Sequence, residues 1–353
     1  MTAVVTVAVT GLQAACAPAP GLEAAFCLSG IPGLRVVGID YDPLCTGLYA
    51  TPPLEAAWAI PSPLTWMPFQ QALEALIRDE GISILIPGTD LDVVWLARHR
   101  AILEGLGIRT LLPGVEAIES LSKAAFFSTP TPLGPFSRPR TRLLRSPDDC
   151  SLLTEATYPV WVKGRLSGAH PAGSPAEAAM WARSLSRWMR WPILVQDWIE
   201  GEELSLTAVA SREPRLLGGA MIRKLGRTET GTTWAGVTIH DPEIVERLRE
   251  AVATWRWVGP IDLDLIRTST GELFVVDINP RLPAWTAVAR DAGANLPAIV
   301  TRVLCGEEVE PVWAATGTAF AQYADDLALP VGRWLQCLER GPNDDDTFYR
   351  RKI

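Results

Sequence analysis

The sequence predicts a mixed protein, with an α/β domain at the N-terminus and an α+β part after it. The first 115 residues alternate short apolar strands with amphipathic helices, an order typical of a parallel sheet covered by helices. Residues 259–281 instead alternate with period two around the turn TSTG at 268–271, which predicts an antiparallel hairpin. A chain of 353 residues also has the length of two or three domains.

Six elements are predicted in the N-terminal part: strands at 4–10, 34–39 and 82–86, and helices at 21–28, 69–80 and 91–106. A nicotinamide-binding domain shares this order, but TGLQAACAPAPG, after the first strand, lacks the G-x-G-x-x-G phosphate cradle. We therefore expect Asp40, at the end of the second strand, to be structural. Gly88, Thr89 and Asp90 follow the third strand and are expected at the ligand-facing edge of the sheet.

The remaining chain is predicted to contain helices at 116–127, 175–188 and 241–255, and short strands at 158–162 and 193–197. Asp241 followed by Pro242 is a strong helix start, with an N-cap side chain and a proline at the first helical position. Residues 284–306 and a strand at 319–324 are expected to complete the last domain. The charged segment 343–353 is expected to be frayed.

Composition excludes several classes of function. The net charge of −8 and the pI of about 5.1 argue against a broad nucleic-acid surface. The six cysteines form no C-x-x-C pair, and with three histidines they make a zinc site improbable. Unpaired cysteines fit a reducing compartment, the apolar run at 3–9 is short for a signal peptide, and no segment approaches a membrane span. We therefore expect a cytoplasmic protein with no membrane partner.

The predicted hairpin carries acids where an apolar face would be expected. Period two places Asp262, Asp264, Asp277 and Asn279 on one face. Carboxylates that converge in this way repel one another and lose hydration unless a cation compensates. Oxygen ligands without sulfur or imidazole favour a hard ion, above all Mg²⁺, with Mn²⁺ as an alternative. A solvated face with incidental acids is the competing interpretation, and the adjoining Arg281 argues against it.

The same hairpin resembles a known family. An acid, then about a dozen residues on a second acid followed by x-Asn-Pro-Arg, is similar to the metal-binding strands of ATP-grasp ligases. The most similar branch contains biotin carboxylase and the large chain of carbamoyl-phosphate synthetase. The resemblance implies a Rossmann-like pre-ATP-grasp domain (1–115), followed by a two-lobed ATP-grasp domain. Its small lobe with a phosphate lid would span 116–195, its C-terminal lobe with the metal site 196–342, and a charged tail 343–353.

The resemblance also implies an ATP site. Lys123 and Lys163 would hold phosphates, and the lid around Gly164, Ser167, Gly168 and Gly173 would cover them, although it is short for the family. The hinge would pair with adenine and Glu203 with the ribose. The implied cofactor-binding residues are Lys123, Lys163, Gly168, Gln196, Asp197, Trp198, Ile199 and Glu203, and the implied metal ligands are Asp264, Asp277 and Asn279.

The implied activity is ATP-dependent joining of a carboxylate to an amine through an acyl-phosphate, with release of ADP and phosphate. Arg223, Lys224 and Arg281 would stabilise the transferred phosphate, with Arg227 in the same basic loop, and residues 229–234 would border the acceptor pocket. The partners would be a small-molecule or peptide carboxylate donor and an amine acceptor. The oligomeric state, including a homodimer, stays open.

Two other classes remain. A nicotinamide-dependent oxidoreductase would use the N-terminal sheet, but it leaves the DINPR run without a role. A non-catalytic nucleotide sensor is harder to exclude, because aspartate stands at 264 and 277 where the family usually has glutamate. The shorter side chain withdraws the ligand oxygens by about one C–C bond of ~1.5 Å.

Overall fold

The computed structural model describes residues 4–13, 19–50, 54–128, 134–165, 168–213, 215–228, 231–322 and 349–352. These residues form three sheets: one of five strands, one of four, and one built on a path of six strands with a seventh beside it. The predicted fold is confirmed, since a parallel N-terminal sheet is followed by two largely antiparallel sheets.

The N-terminal sheet has the order β3-β2-β1-β4, with all four strands parallel. Its elements are β1 (Val5–Thr10), α1 (Pro20–Leu28), β2 (Leu34–Asp40), a 3₁₀ helix (Thr46–Tyr49), β3 (Ala56–Ala59), α2 (Trp66–Glu80), β4 (Ile82–Ile86), α3 (Asp90–Arg98) and α4 (Arg100–Gly105). Helix α1 packs tightly on β1, because a Cβ on Gly21 would lie 1.9 Å from the Thr10 carbonyl oxygen. Only glycine allows this approach.

The second sheet forms the small lobe, in the order β5-β8-β6-β7. Its region contains α5 (Val115–Ser120), α6 (Lys123–Ser128), β5 (Thr141–Leu144), a 3₁₀ helix (Pro147–Glu155), β6 (Val160–Lys163), β7 (Ala169–Ala172), α7 (Pro175–Met189) and β8 (Ile193–Asp197). Helix α7 covers one face of this sheet, where Ala178 and Ala182 are buried with Val160 and Val162 in one core. The opposite face is free to line a cavity.

The third sheet forms the large lobe, in the order β13-β12-β9-β10-β11-β15, with β14 beside β10. Its region contains β9 (Glu202–Ala210), β10 (Leu216–Arg227), β11 (Thr233–Ile239), α8 (Pro242–Trp255), β12 (Gly259–Arg267), β13 (Leu273–Asn279), α9 (Thr286–Asp291), α10 (Leu296–Leu304), β14 (Val312–Trp313) and β15 (Ala319–Ala321). As predicted, the Asp241 carboxylate caps α8 by accepting from the backbone N–H groups of Glu243 and Ile244. Residues 198–201 connect the two lobes.

The N-terminal domain docks onto the large lobe through α1. Asn295 Nδ2 donates to the Cys27 carbonyl at 2.7 Å, and Arg290 Nη1 donates to the Phe26 carbonyl at 2.9 Å. At a second point, Arg109 Nη1 donates to the Leu304 carbonyl at 2.7 Å. No helix in the described part of the chain is long and apolar enough to cross a membrane.

Three details differ from the sequence prediction. The predicted helix at 91–106 is two helices that meet at His99, whose ring accepts or donates a 2.8 Å bond at the Trp95 carbonyl and stacks on Trp66. The predicted helix at 116–127 is likewise divided, into α5 and α6. The tail was expected to be frayed, but β16 (Tyr349–Lys352) pairs antiparallel with β3, a strand that the prediction missed.

Candidate functional site

A cavity of about 300 Å³ lies between the two lobes. It gathers all of the predicted cofactor and metal residues and two of the three predicted catalytic residues. The predicted residues that line it are Lys123, Lys163, Gly168, Gln196, Asp197, Trp198, Ile199, Glu203, Lys224, Asp264, Asp277, Asn279 and Arg281. Their placement in one cavity is a finding, whereas the role of each remains a prediction.

Arg223 is the predicted catalytic residue that the structure places elsewhere. Strand alternation turns it away from Lys224, and its Nε pairs with a Glu202 carboxylate oxygen while nearly half of its side chain stays exposed. Its predicted contact with the transferred phosphate is therefore not carried forward. Of the other predicted segments, Ser167 of the lid and Glu229 of the acceptor border lie outside the described residues.

The hairpin of β12 and β13 places its acids in direct register. Asp264 lies opposite Asp277, and Asp262 lies opposite Asn279, on the shared face that period two predicts. The pairing then shifts, so that Leu265 faces Val275 and Val276 is left between the pairs. A bulge of this kind re-aims a backbone group. Here the Val276 carbonyl accepts a 2.8 Å hydrogen bond from Lys163 Nζ of the small lobe.

We call Asp264, Asp277, Asn279 and the two lysines that pair with them the carboxylate end of the cavity. Lys123 Nζ lies 3.0 Å from Asp277 Oδ2, and Lys224 Nζ lies 2.7 Å from Asp264 Oδ1. Burial alone would lower the pKa of each lysine, but the facing carboxylates raise it above its ordinary value. Burial would raise the pKa of Asp277, yet Lys123 and Lys163 hold it below its ordinary value. These groups are thus charged in the unliganded protein.

Asp262 lies beneath this end and is almost completely buried. It accepts from Ser205 Oγ and Asn279 Nδ2, each at 3.0 Å. Burial, followed by the nearby Asp264 charge, raises its pKa to about 7. Because the Asn279 amide nitrogen donates to Asp262, its oxygen is directed away from that carboxylate, toward Arg281 Nη2 at 3.5 Å.

The donor set fits a magnesium ion shared with a polyphosphate. Two facing carboxylates and one amide oxygen match the few protein ligands that Mg²⁺ takes when substrate phosphates complete its coordination. Among the described residues no group of three or more acidic, histidine or cysteine side chains is arranged to hold a metal without such help. The site therefore suits a metal that enters with its nucleotide.

Lys163 differs from the other two lysines because its partners are neutral. Its Nζ donates to Gln196 Oε1 and to the Val276 carbonyl, each at 2.8 Å. Burial, opposed by Asp277 and reinforced by the Lys123 charge, lowers its pKa to about 8. A buried ammonium without a facing carboxylate is ready to receive an anion.

Arg281 connects this end to the N-terminal domain. Its Nε lies 2.8 Å from Asp90 Oδ1, at the first position of α3, and its Nη1 donates to the Leu282 carbonyl at 3.1 Å. Asp90 therefore contacts the ATP-grasp-like half through an arginine. Thr89, which the sequence also placed at this edge, caps α3 by accepting from the Asp92 backbone N–H.

The opposite part, the aromatic end, consists of Trp161, Trp198, Glu203 and Arg227. The two tryptophan rings stack with centroids 5.3 Å apart and planes within 5° of parallel. Arg227 Nη2 lies 3.2 Å from Glu203 Oε1. The Asp197 backbone N–H, expected to help bind adenine, donates to the Arg140 carbonyl at 2.9 Å, so base recognition would fall to the next hinge residues.

Sequence reasoning missed Trp161, Ser205 and the role of Arg227 in this cavity. Trp161 could have been found, because it precedes Lys163 by two residues and so shares its strand face. Arg227 could not, because its direction depends on bulges that the sequence does not mark.

Comparisons with known proteins agree with this geometry. Residues 168–284 match the model of the ATP-grasp domain family, a range that contains the hinge, the hairpin and Arg281. N5-carboxyaminoimidazole synthetase from Staphylococcus aureus superposes with a TM-score of 0.63 at 15% identity, covering 88% of this chain and 80% of that one. L-amino acid ligase from Bacillus licheniformis gives 0.63 at 15% identity, covering 86% and 75%. Biotin carboxylase from Campylobacter jejuni gives 0.62 at 14% identity, covering 86% and 71%.

Proposed function

Because this chain belongs to the ATP-grasp superfamily, by its domain match and its fold, we propose that it is an ATP-dependent carboxylate–amine ligase. Its donor would be activated as an acyl-phosphate, and the products would include ADP and inorganic phosphate. The structural neighbours named above are a synthetase, an amino acid ligase and a carboxylase. Their substrates differ, so the fold supports the reaction class rather than one donor or acceptor.

The observation that carries the proposal is the convergence of opposite charges at the carboxylate end. Lys123, Lys163 and Arg281 come from the small lobe and the hairpin, and they surround the facing pair Asp264 and Asp277. Such a set is costly to bury unless a polyphosphate and a divalent cation balance it. A solvated hairpin face would not need cations from another lobe.

Mg²⁺ would be held by Asp264, Asp277 and the Asn279 oxygen, and when bound it would neutralise charge on the β- and γ-phosphates. The chain's own residues then do the rest. Lys163 and Lys123 would bind and orient the phosphates, because phosphoryl transfer needs positioning and charge stabilisation more than covalent chemistry.

In the first step, a donor carboxylate oxygen would attack the γ-phosphorus as the bond to the ADP oxygen breaks. Arg281, pinned at Nε by Asp90 and at Nη1 by the Leu282 carbonyl, would face the phosphoryl group with its orientation already set. In the second step, the amine would attack the acyl carbon, lose a proton and expel inorganic phosphate. Lys224, beside Asp264, would stabilise the charge that grows on the departing phosphate.

The proposal is tested by an ADP-release screen of amino acids, small carboxylates and short peptides as donors and acceptors, with product detection by mass spectrometry. We expect ADP release that depends on both a carboxylate and an amine, together with a new amide mass. Nucleotide binding without turnover for any pair would favour the sensor. Thermal stabilisation by NADH but not by ATP with Mg²⁺ would favour the oxidoreductase.

A further inference from the structure

The tryptophan pair at the aromatic end forms a platform inside the cavity. Trp161 stands on β6 and shares its face with Lys163, and Trp198 stands in the hinge between the lobes. Their offset stack leaves Trp161 supported from one side, while Trp198 keeps about a third of its surface exposed. An aromatic surface beside a set of phosphate-binding cations suits a nucleobase.

Arg227 is directed onto this platform by two irregularities in its strand. Strict alternation from Lys224 would send Arg227 to the outer face with Arg223. The pairing of β10 with β11 shifts twice, leaving Leu225 and Trp234 between the paired residues, so both Lys224 and Arg227 line the cavity. Leu225 and Trp234 are correspondingly exposed. Bulges are known to re-aim side chains beside binding sites.

The position of the guanidinium is defined by two kinds of contact. Its central carbon lies 5.4 Å from the Trp161 ring centroid and 5.9 Å from that of Trp198, within the range of a cation–π interaction. Its Nη2 pairs with one Glu203 oxygen, which leaves the other oxygen of that carboxylate for a ribose hydroxyl. The cation therefore sits above the platform and is held from the side.

We propose that Trp161 and Arg227 sandwich the nucleobase, so that Arg227 recognises the base rather than the phosphates. This proposal rests on the proposed function, since it takes the nucleotide to be ATP. A sandwich needs about 7 Å between its outer layers, two contacts of ~3.5 Å each. The present spacing of 5.4 Å is short of this by an amount that a small outward movement of one arginine side chain supplies.

The proposal assigns Arg227 differently from the family resemblance, which would place basic residues of this loop on the γ-phosphate. The distinction follows from the partners. The cations at the carboxylate end pair with Asp264 and Asp277, whereas Arg227 pairs with Glu203 and covers aromatic rings. Stacking tolerates any base, so the choice of adenine would remain with the hinge backbone.

The test is isothermal titration of the full chain with AMP, ADP and ATP, using Arg227→Ala, Arg227→Lys and Trp161→Ala. We expect Arg227→Ala to weaken all three nucleotides by a similar factor, about fivefold. Trp161→Ala should weaken them about tenfold or more. Arg227→Lys should lose most of the Arg227 contribution, because an ammonium keeps the charge but not the stacking plane.

Arg223→Ala is the matched control, because it removes an arginine–glutamate pair from the same strand but outside the cavity. It should leave all three affinities within about twofold, as a surface pair does. A loss for Arg227→Ala that grows from AMP to ATP would overturn the proposal in favour of a phosphate contact. A gain in affinity, or no change, would overturn it as well. Failure of the unaltered chain to bind any nucleotide would overturn the ligase too, whereas binding without turnover would overturn only the ligase.

Discussion

The two ends of the cavity prepare for a nucleotide in different ways. At the carboxylate end, Lys123 and Lys224 are each committed to an aspartate, so a metal and a polyphosphate must exchange partners with groups that are already satisfied. At the aromatic end, the platform of Trp161 and Trp198 is in place, with one arginine above it. The comparison teaches that base binding is largely preformed, whereas phosphate and metal binding require rearranged ion pairs.

The largest expected effect breaks the carboxylate end alone. Asp277→Asn removes one of the facing carboxylates and the partner of Lys123, and we expect Mg²⁺-dependent ADP release to fall at least a hundredfold. Magnesium-free binding of AMP should stay within about twofold, because it uses the aromatic end. Steady-state ADP release and titration calorimetry provide the two measurements. Near-normal turnover would remove Asp277 from the metal site.

A second change separates Lys163 from its anion. Lys163→Met keeps the side-chain volume but removes the ammonium, and it should abolish most of the increase in melting temperature that ATP with Mg²⁺ gives the unaltered protein, a few degrees by binding linkage. Arg302→Ala, which removes a surface pair with Glu307, should leave that increase unchanged. An undiminished increase in the Lys163 variant would show that its ammonium does not meet the phosphates.

The pH dependence of ATP binding sharpens the same contrast. The Lys163 pKa is lowered to about 8, and a bound phosphate stabilises the protonated form, so affinity should be full below pH 8 and fall as the pH rises through that value. The decline should approach tenfold per pH unit at its steepest. Lys163→Met should flatten it in calorimetric titrations between pH 7 and 9. An equally steep decline in that variant would assign the titration to another group.

The smallest effect concerns folding. Asp262 has its pKa raised from 3.8 to about 7, so the folded state holds a proton that the unfolded state loses above pH 4. Its contribution should therefore destabilise the fold as the pH rises from about 4 to 7 and stay level above 7. Asp262→Asn should reduce that slope in melting temperatures measured over the range. A slope that is unchanged would place the titration elsewhere.

The sequence predicted the elements that depend on local pattern. Alternation around the TSTG turn was sufficient to place Asp264 opposite Asp277, because period two and the turn together set the register. The carboxyl edge of the parallel sheet likewise brought Asp90 toward the cavity. The family prediction is confirmed by the match over residues 168–284.

What the sequence could not predict depends on irregularities and long-range pairing. A single extra residue at Val276 gives Lys163 its backbone acceptor, and the shifts beside Leu225 and Trp234 turn Arg227 into the cavity. Neither is marked by glycine or proline at the extra position. The same limit explains Arg223, which neighbours Lys224 in sequence but lies on the other face of the strand.

The most direct test of the central claim follows one oxygen atom. With a donor found by the ADP-release screen and labelled with ¹⁸O in its carboxylate, acyl-phosphate chemistry transfers one labelled oxygen into inorganic phosphate, because the carboxylate oxygen that attacks phosphorus leaves with it. We predict ¹⁸O-labelled phosphate and ADP, in equal amounts with the amide product. Unlabelled phosphate, or release of AMP and pyrophosphate, would contradict the mechanism.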